Sequence, residues 1–415
     1  MRVKPVLSTE SEDDWTFKNA KTRQLTHCFH DYPARMIPQV AGKLLDLYAP
    51  QGGRLFDPYC GSGTSLVEGM RRGLAVIGTD LNPLARLMSE AKTTPVALAK
   101  IDAARETMER FIVAAPAQTI EEVEGITRLD FWFKPAVIEK LATLRDFINS
   151  LPDEALRRFF AVAFSETVRE CSNTRNEEFK LYRYEAARLE KFAPDVYAVM
   201  RAKLTRNRAG LREFLEVLPT PAPQRQVFAF NTVDIIPDEI GAVDVVVTSP
   251  PYGDSQTTVA YGQYSRLSAA WLGLHEAARI DQKLMGSNKL QDLPAFPCPT
   301  LNAALQQIAE SHAKRALEVA AFYVELEKSI ANLAPVIKRG GHACYVVGNR
   351  KVKGVILPTD EAVRDFFAPH GYEYVTTHHR AIPNKRMPEK NSPSNVSGQH
   401  EQTMTREYVV VMRRV

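Results

Sequence analysis

The chain has 415 residues, 45% of them hydrophobic and 25% charged, with a formal net charge of +4. That length exceeds one minimal domain, and the apolar content suits a soluble globular protein with a sizeable core. The opening MRVKPVLSTESEDDW lacks the apolar core of a secretory signal, and no apolar run reaches membrane-spanning length, so a cytoplasmic protein without a membrane partner is expected.

The five cysteines, Cys28, Cys60, Cys171, Cys298 and Cys344, show no paired short spacing. Neither a disulfide framework nor a zinc knuckle is encoded, and they read as reduced thiols with no metal site. The slight basic excess permits a polyanionic partner without requiring one.

In chain order, YPARMIPQVAGKLLDLYAP has apolar residues at helical spacing, and the stretch from Gly52 to Ala91 then reads strand, glycine turn, helix, strand, helix. RLF is the first strand, Ser62 to Arg72 the helix and AVIGTD the second strand. Such a βαβ unit predicts a parallel sheet with its ligand at the carboxyl ends of the strands. From about residue 97 to 222 the pattern is mostly helical, with FFAVAFSETVREC the best amphipathic segment, and it closes at the proline-rich PTPAPQ. Strand character resumes in QVFAFNT and AVDVVVTS, and a second interruption runs from about 254 to 316, where no period is sustained. A helix (Leu317 to Leu333), the strand HACYVVGN, a helix around EAVRDFFAPHG and the strand EYVVVMRR complete the chain, with PNKRMPEKNSPSNVSGQHEQT polar enough for a mobile loop. The expected division is 1–96, 223–253 and 317–415 as three parts of one α/β domain, interrupted by a helical insertion at 97–222 and a less regular one at 254–316.

DPYCGSGT lies between a short apolar strand and a helix. Gly61 and Gly63 allow a ligand close to the backbone, and the helix start behind them presents free N–H groups. No lysine stands where a Walker A loop needs one, and a dinucleotide fingerprint fits poorly. The second strand ends in Asp80, where a carboxylate can accept from a ribose diol. A tight turn and a capping aspartate account for either piece alone; together in one βαβ unit they indicate an adenosine-containing ligand without a triphosphate.

VVVTSPPYGDS ends a buried strand in Ser249-Pro250-Pro251-Tyr252. The prolines fix φ and lack N–H groups, so the chain leaves the sheet stiffly with carbonyls free. A rigid carbonyl, a hydroxyl and a tyrosine ring suit a flat heteroaromatic ring bearing an exocyclic amine. A plain strand-ending kink is the simpler account of an isolated PPY; the glycine loop in the same domain favours the ligand.

With these motifs in this order the chain resembles the S-adenosylmethionine-dependent DNA amino-methyltransferases. TSPPYG resembles their catalytic signature, in the serine form most typical of the cytosine-N4 branch; FDPYCGSGT resembles the methionine-side cofactor loop, GTDLNPLA the ribose-binding strand end and HDYPARMIP the segment packed around the cofactor. The resemblance implies a mostly parallel Rossmann-like methyltransferase sheet with a helical insertion. It also implies S-adenosylmethionine as cofactor, held at Asp57, Pro58, Cys60, Gly61, Ser62, Gly63 and Thr64, at Tyr32, Pro33, Ala34 and Arg35, and on Asp80, Leu81 and Asn82. Asn231 and Thr232 fall at the adenine edge, Asn231 where the family often carries an acid.

The implied substrate is double-stranded DNA with a flipped base, stacked on Tyr252 and held through its amine by Ser249 and the Pro250 carbonyl. Carbon-5 chemistry is disfavoured, because Cys298 in FPCPT lies in an irregular stretch and lacks the expected glutamine after it. Target recognition is assigned to the insertions and the last loop, with Ser172, Asn173, Arg175, Lys385 and Arg386 as candidate DNA contacts. For each such basic segment alone, a solvated charged face is the simpler reading. The expected function is site-specific cytosine-N4 methylation in a prokaryotic restriction-modification or defence system, with a cognate restriction nuclease as partner. Adenine-N6 methylation is the first alternative and RNA amino-methylation the second.

Overall fold

The structure is a computed structural model that describes residues 13–116, 120–175, 180–253, 260–382, 390–391, 401–402 and 404–415. Seven strands form the central sheet: β1 (Arg54–Asp57), β2 (Ala75–Thr79), β3 (Arg225–Phe228), β4 (Val243–Thr248), β5 (Ile337–Val347), β6 (Tyr372–Ala381) and β7 (Arg406–Arg414). Their order is β3-β2-β1-β4-β5-β7-β6. The first five pair in parallel, and β7 runs antiparallel between β5 and β6. This is the mostly parallel Rossmann-like sheet expected from the sequence, with one reversed strand, β7, inserted next to the edge strand β6.

Strand composition follows from burial on both faces. In β4, Val245 and Val247 enter the core layer that holds Leu55 and Val76, whereas Val246 enters the opposite layer with Phe56 and Ile77. A strand covered on both sides needs apolar residues in succession rather than in alternation, which is why VVV precedes Thr248.

The helices are α1 (Asp13–Thr16), α2 (Pro38–Tyr48), α3 (Thr64–Met70), α4 (Pro83–Thr93), α5 (Leu98–Ala114), α6 (Leu129–Trp132), α7 (Pro135–Ser150), α8 (Glu154–Cys171), α9 (Ala186–Lys191), α10 (Val196–Val217), α11 (Tyr261–Trp271), α12 (Pro299–Leu333) and α13 (Thr359–Phe367). α5 to α10 form the helical insertion between β2 and β3. Asp153 caps α8, its carboxylate accepting from the Ala155 and Leu156 amides. Sequence periodicity reads α8 as amphipathic, but it is buried on nearly all sides, packing against α4, α7, α10 and α11. The insertion therefore shares one continuous apolar core with the sheet.

Two further boundaries differ from expectation. The helix anticipated from Leu317 begins at Pro299, with Cys298 as its cap and a non-helical break at His312. Within the second insertion, α11 and a 3-10 segment at His275–Gln282 supply regular structure where no period was apparent. Most of the stretch expected to be a mobile loop, 383–403, lies outside the described residues. Among the described residues, no helix is long and apolar enough to cross a membrane.

Candidate active site

Strand order reverses between β1 and β4, and a cleft opens there at the carboxyl ends of β1, β2 and β4. Asp57, the last residue of β1, holds its floor together. Its carboxylate accepts from Thr248 Oγ1 at 2.6 Å, from the Tyr59 amide at 3.1 Å and from Ser65 Oγ, joining β4, the glycine loop and α3. Burial pushes this carboxyl up to about 6, against the pull of those hydrogen bonds. Asp80, just past β2, accepts from the Gly61 amide at 3.0 Å and the Asn82 amide at 2.8 Å. One edge of it borders the cleft and protein encloses the rest; this desolvation raises it to about 6 as well.

Gly61 and Gly63 both have positive φ, +51° and +78°. Their reasons differ. A Cβ on Gly61 would point toward the Tyr32 ring, 3.7 Å away across the cleft, whereas one on Gly63 would lie 2.8 Å from Ser89 Oγ. Gly63 is thus required for close packing of α4, and Ser89 in turn donates to the Gly61 carbonyl at 2.8 Å. The Ser62 carbonyl accepts at 2.9 Å from Lys92, a fully buried lysine whose pKa burial holds well below its ordinary value. Burial pushes the Cys60 thiol far up, so it packs as an apolar group.

The cavity is partly open to solvent and takes its lining from both sides of the switch point, from the glycine loop, Asp80 and the end of β4. Of the cofactor-side residues read from the sequence, all line it except Gly63; of the tetrapeptide, Ser249 and Pro251 line it and Pro250 and Tyr252 do not. Tyr252 instead borders a narrow cleft beside Gly253, Phe322 and Tyr323. Asn231 turns its side-chain oxygen to the Val233 amide at 3.1 Å, and Thr232 joins Tyr59 and Ser329 in a hydroxyl cluster.

The far wall is aromatic. Tyr32 stacks on Tyr261 and meets the edge of Tyr264, while its hydroxyl accepts from Asn82 Nδ2 at 3.0 Å. Arg169 of α8 donates to the Tyr264 carbonyl at 2.7 Å and lies over its ring, which fastens the helical insertion to this wall. Arg35 donates to the carbonyls of His27 and His30.

Sequence reading missed Met36, Tyr59, Phe230, Tyr261 and Lys283 to Met285, all of which line the cavity. Tyr59 and Phe230 neighbour recognised motifs and were legible by adjacency. Tyr261 and Lys283 to Met285 reach the cleft by tertiary folding of the second insertion, and carried no local signal.

Two of the candidate DNA contacts are buried in this structure. Ser172 is fully buried and donates to the Arg169 carbonyl at 2.7 Å; Asn173, also buried, donates to the Phe131 carbonyl at 3.1 Å. Both bond internally at the end of α8. Arg175 is exposed, 3.7 Å from Glu185. Lys385 and Arg386 lie outside the described residues.

No family model matches the chain. It is 40% identical over 422 residues to the type II methyltransferase M.MvaI of Kocuria varians, spanning 96% of this chain and 93% of that protein. The chain belongs to the type II methyltransferases. A 66-residue stretch of the methyltransferase, 16% of it, is 38% identical to 12% of the type II methyltransferase M.MjaII of Methanocaldococcus jannaschii. Among solved structures, TrmN from Thermus thermophilus aligns with a TM-score of 0.31 at 10% identity, over 92% of this chain and 49% of that one.

The methyl donor is S-adenosylmethionine, and the residues present fit it. Ser62 Oγ and Thr64 Oγ1 are buried without a partner and line the cavity beside the glycine loop. Buried hydroxyls left unsatisfied by protein are what a polar ligand seated there would complete.

Proposed function

We propose that this methyltransferase acts on DNA, transferring a methyl group to the exocyclic N4 amine of cytosine at a specific site. The observation that carries the reading is that Ser249 and Pro251, at the end of β4, open into the same cavity as the glycine loop and Asp80. The serine form of the tetrapeptide supports cytosine-N4 over adenine-N6.

S-adenosylmethionine supplies an electrophilic methyl group on a positively charged sulfur. The chain's own residues hold and orient. Ser62, Thr64 and Arg35 suit the amino-acid end, Asp80 the ribose hydroxyls, and Phe230 and Asn231 the adenine. Ser249 Oγ accepts a hydrogen bond from the target amine and directs its lone pair at the methyl group, so the gain is in orientation and electrostatics. When bound, the cofactor would leave as a neutral thioether, and the methylated amine would release one proton to solvent. No covalent link to the protein is needed, consistent with a buried Cys60 and with Cys298 capping α12 in the opposite core layer.

Base extrusion brings the amine to Ser249 at a cost of roughly a few kcal/mol, offset by contacts in the cleft. Target recognition falls to the insertions at 97–222 and 254–316, since Tyr261 and Lys283 bring the second to the cavity and Arg169 ties the first to its wall. The cellular setting in this reading is a prokaryotic cytoplasm, with a cognate nuclease restricting unmethylated DNA.

The test is mass analysis of nucleosides from DNA treated with the enzyme and deuterium-labelled cofactor. Labelled N4-methylcytosine is expected. Labelled N6-methyladenine alone would overturn the base assignment, and unlabelled DNA the substrate class.

A further inference from the structure

A chain of hydrogen bonds leads away from Ser249 into the antiparallel edge of the sheet. Ser249 Oγ donates to the Tyr252 hydroxyl at 3.2 Å, and that hydroxyl donates to Glu407 Oε1 at 2.9 Å. Glu407, the second residue of β7, sits opposite Arg380 of β6, whose guanidinium binds its other carboxylate oxygen. Arg380 is itself buried and donates through Nε to the Trp15 carbonyl at 3.2 Å. The sequence marks the strand EYVVVMRR but gives neither Glu407 nor Arg380 a role at the site.

The direction of this chain follows from what its far end can do. A carboxylate has only lone pairs to offer, so the phenol hydrogen must point to Glu407. Desolvation, then the Glu407 charge, push the Tyr252 phenol well above its ordinary pKa, so it keeps that hydrogen. The Tyr252 oxygen can then only accept from Ser249, whose own hydrogen is thereby occupied. Ser249 Oγ, its hydrogen committed, has only its lone pairs to offer the cavity.

We infer that Glu407 is a positioning residue that acts through Tyr252 to make Ser249 a hydrogen-bond acceptor toward the target amine. This rests on the reading of Ser249 as the amine-binding group. It assigns Tyr252 a role through its hydroxyl, in keeping with a ring that lies off the cavity.

Glu407→Gln tests it, because the shape is kept and the polarity is not. Arg380 can only donate and claims the amide oxygen, which turns the NH₂ group toward Tyr252. Tyr252 must then accept, its hydrogen turns to Ser249, and the Ser249 hydrogen turns to the cavity, against the amine. The expected result is a kcat lower by roughly 100-fold, the scale for one misdirected hydrogen bond at a reacting centre, with S-adenosylhomocysteine affinity within about twofold of the parent. Tyr252→Phe frees Ser249 to rotate and loses only about tenfold. The double variant matches Tyr252→Phe, and so is about tenfold faster than Glu407→Gln alone. A residue that merely supported the fold would not produce that reversal.

Losses that multiply in the double variant, or a Glu407→Gln enzyme within about twofold of the parent, would overturn the inference. Should Glu407→Gln fail to fold, Glu407→Asp keeps the acceptor-only group: it is expected to stay within about tenfold of the parent and to add nothing to Tyr252→Phe, and a further loss there would overturn the inference equally. Absence of methyl transfer to DNA by the unaltered enzyme would instead overturn the proposed function; an active enzyme with multiplicative losses overturns the positioning role alone.

Discussion

Asp80 shows how far one side chain's chemistry can be carried. Its carboxyl, raised by desolvation to about 6 from 3.8, binds a proton more readily in the folded chain than in the unfolded one. Its contribution to stability is therefore complete below about pH 3.8 and is lost as pH rises through about 6. Asp80→Asn lacks that loss. In thermal melts of the ligand-free protein, the Tm of the variant relative to the parent should rise between pH 4.5 and 7; a constant difference would contradict the assignment. Cofactor binding runs the other way, since a ribose diol donates best to the ionised form. Affinity for S-adenosylhomocysteine should climb through about pH 6 and level off above it in the parent, and be weaker and flat in Asp80→Asn. The residue itself was legible because an acid at the end of a strand beside a glycine turn is a local pattern. Its two backbone partners were not, because the Gly61 amide reaches Asp80 only once the loop has folded back on β2.

At the scale of elements, the glycine loop and α4 form one packed unit. Gly63→Ala would place a methyl group 2.8 Å from Ser89 Oγ and 3.0 Å from its Cα, at a φ of +78°. Strain and displacement together should cost about 2–3 kcal/mol, read as a lower Tm, and loosen cofactor affinity by roughly tenfold as the loop shifts. Unchanged melting and binding would show that Gly63 is not a packing contact. The unit from β1 through α4 was readable because its strand, turn and helix signals are contiguous. Other elements were not. α8 has an amphipathic period, yet its polar face also meets protein: Glu166 is bound by Arg206, and Arg169 by Tyr264. α12 starts well before its clearest apolar stretch, because Cys298, Leu301 and Leu305 pack into the second core layer before the break at His312. Both errors arise from burial by distant segments, which a local period does not encode.

For the whole molecule, strand order is what brings the recognised motifs together. Residues 57–62 and 64, 80–82, 231–232, Ser249 and Pro251 are far apart in the chain, and the reversal between β1 and β4 delivers them to one cleft. The glycine loop, the acid and the tetrapeptide were each visible in the sequence, whereas the wall from Tyr261 to Met285 and the support from Glu407 depend on the complete fold. The burial of Ser172 and Asn173 at the end of α8 likewise depends on the complete fold. The most direct test of the central claim is a crystal structure with S-adenosylhomocysteine. The account predicts its amino-acid end against Ser62 and Thr64, its ribose on Asp80 and its sulfur facing Ser249. A ligand seated outside this cleft, or with its sulfur turned away from Ser249, would contradict it.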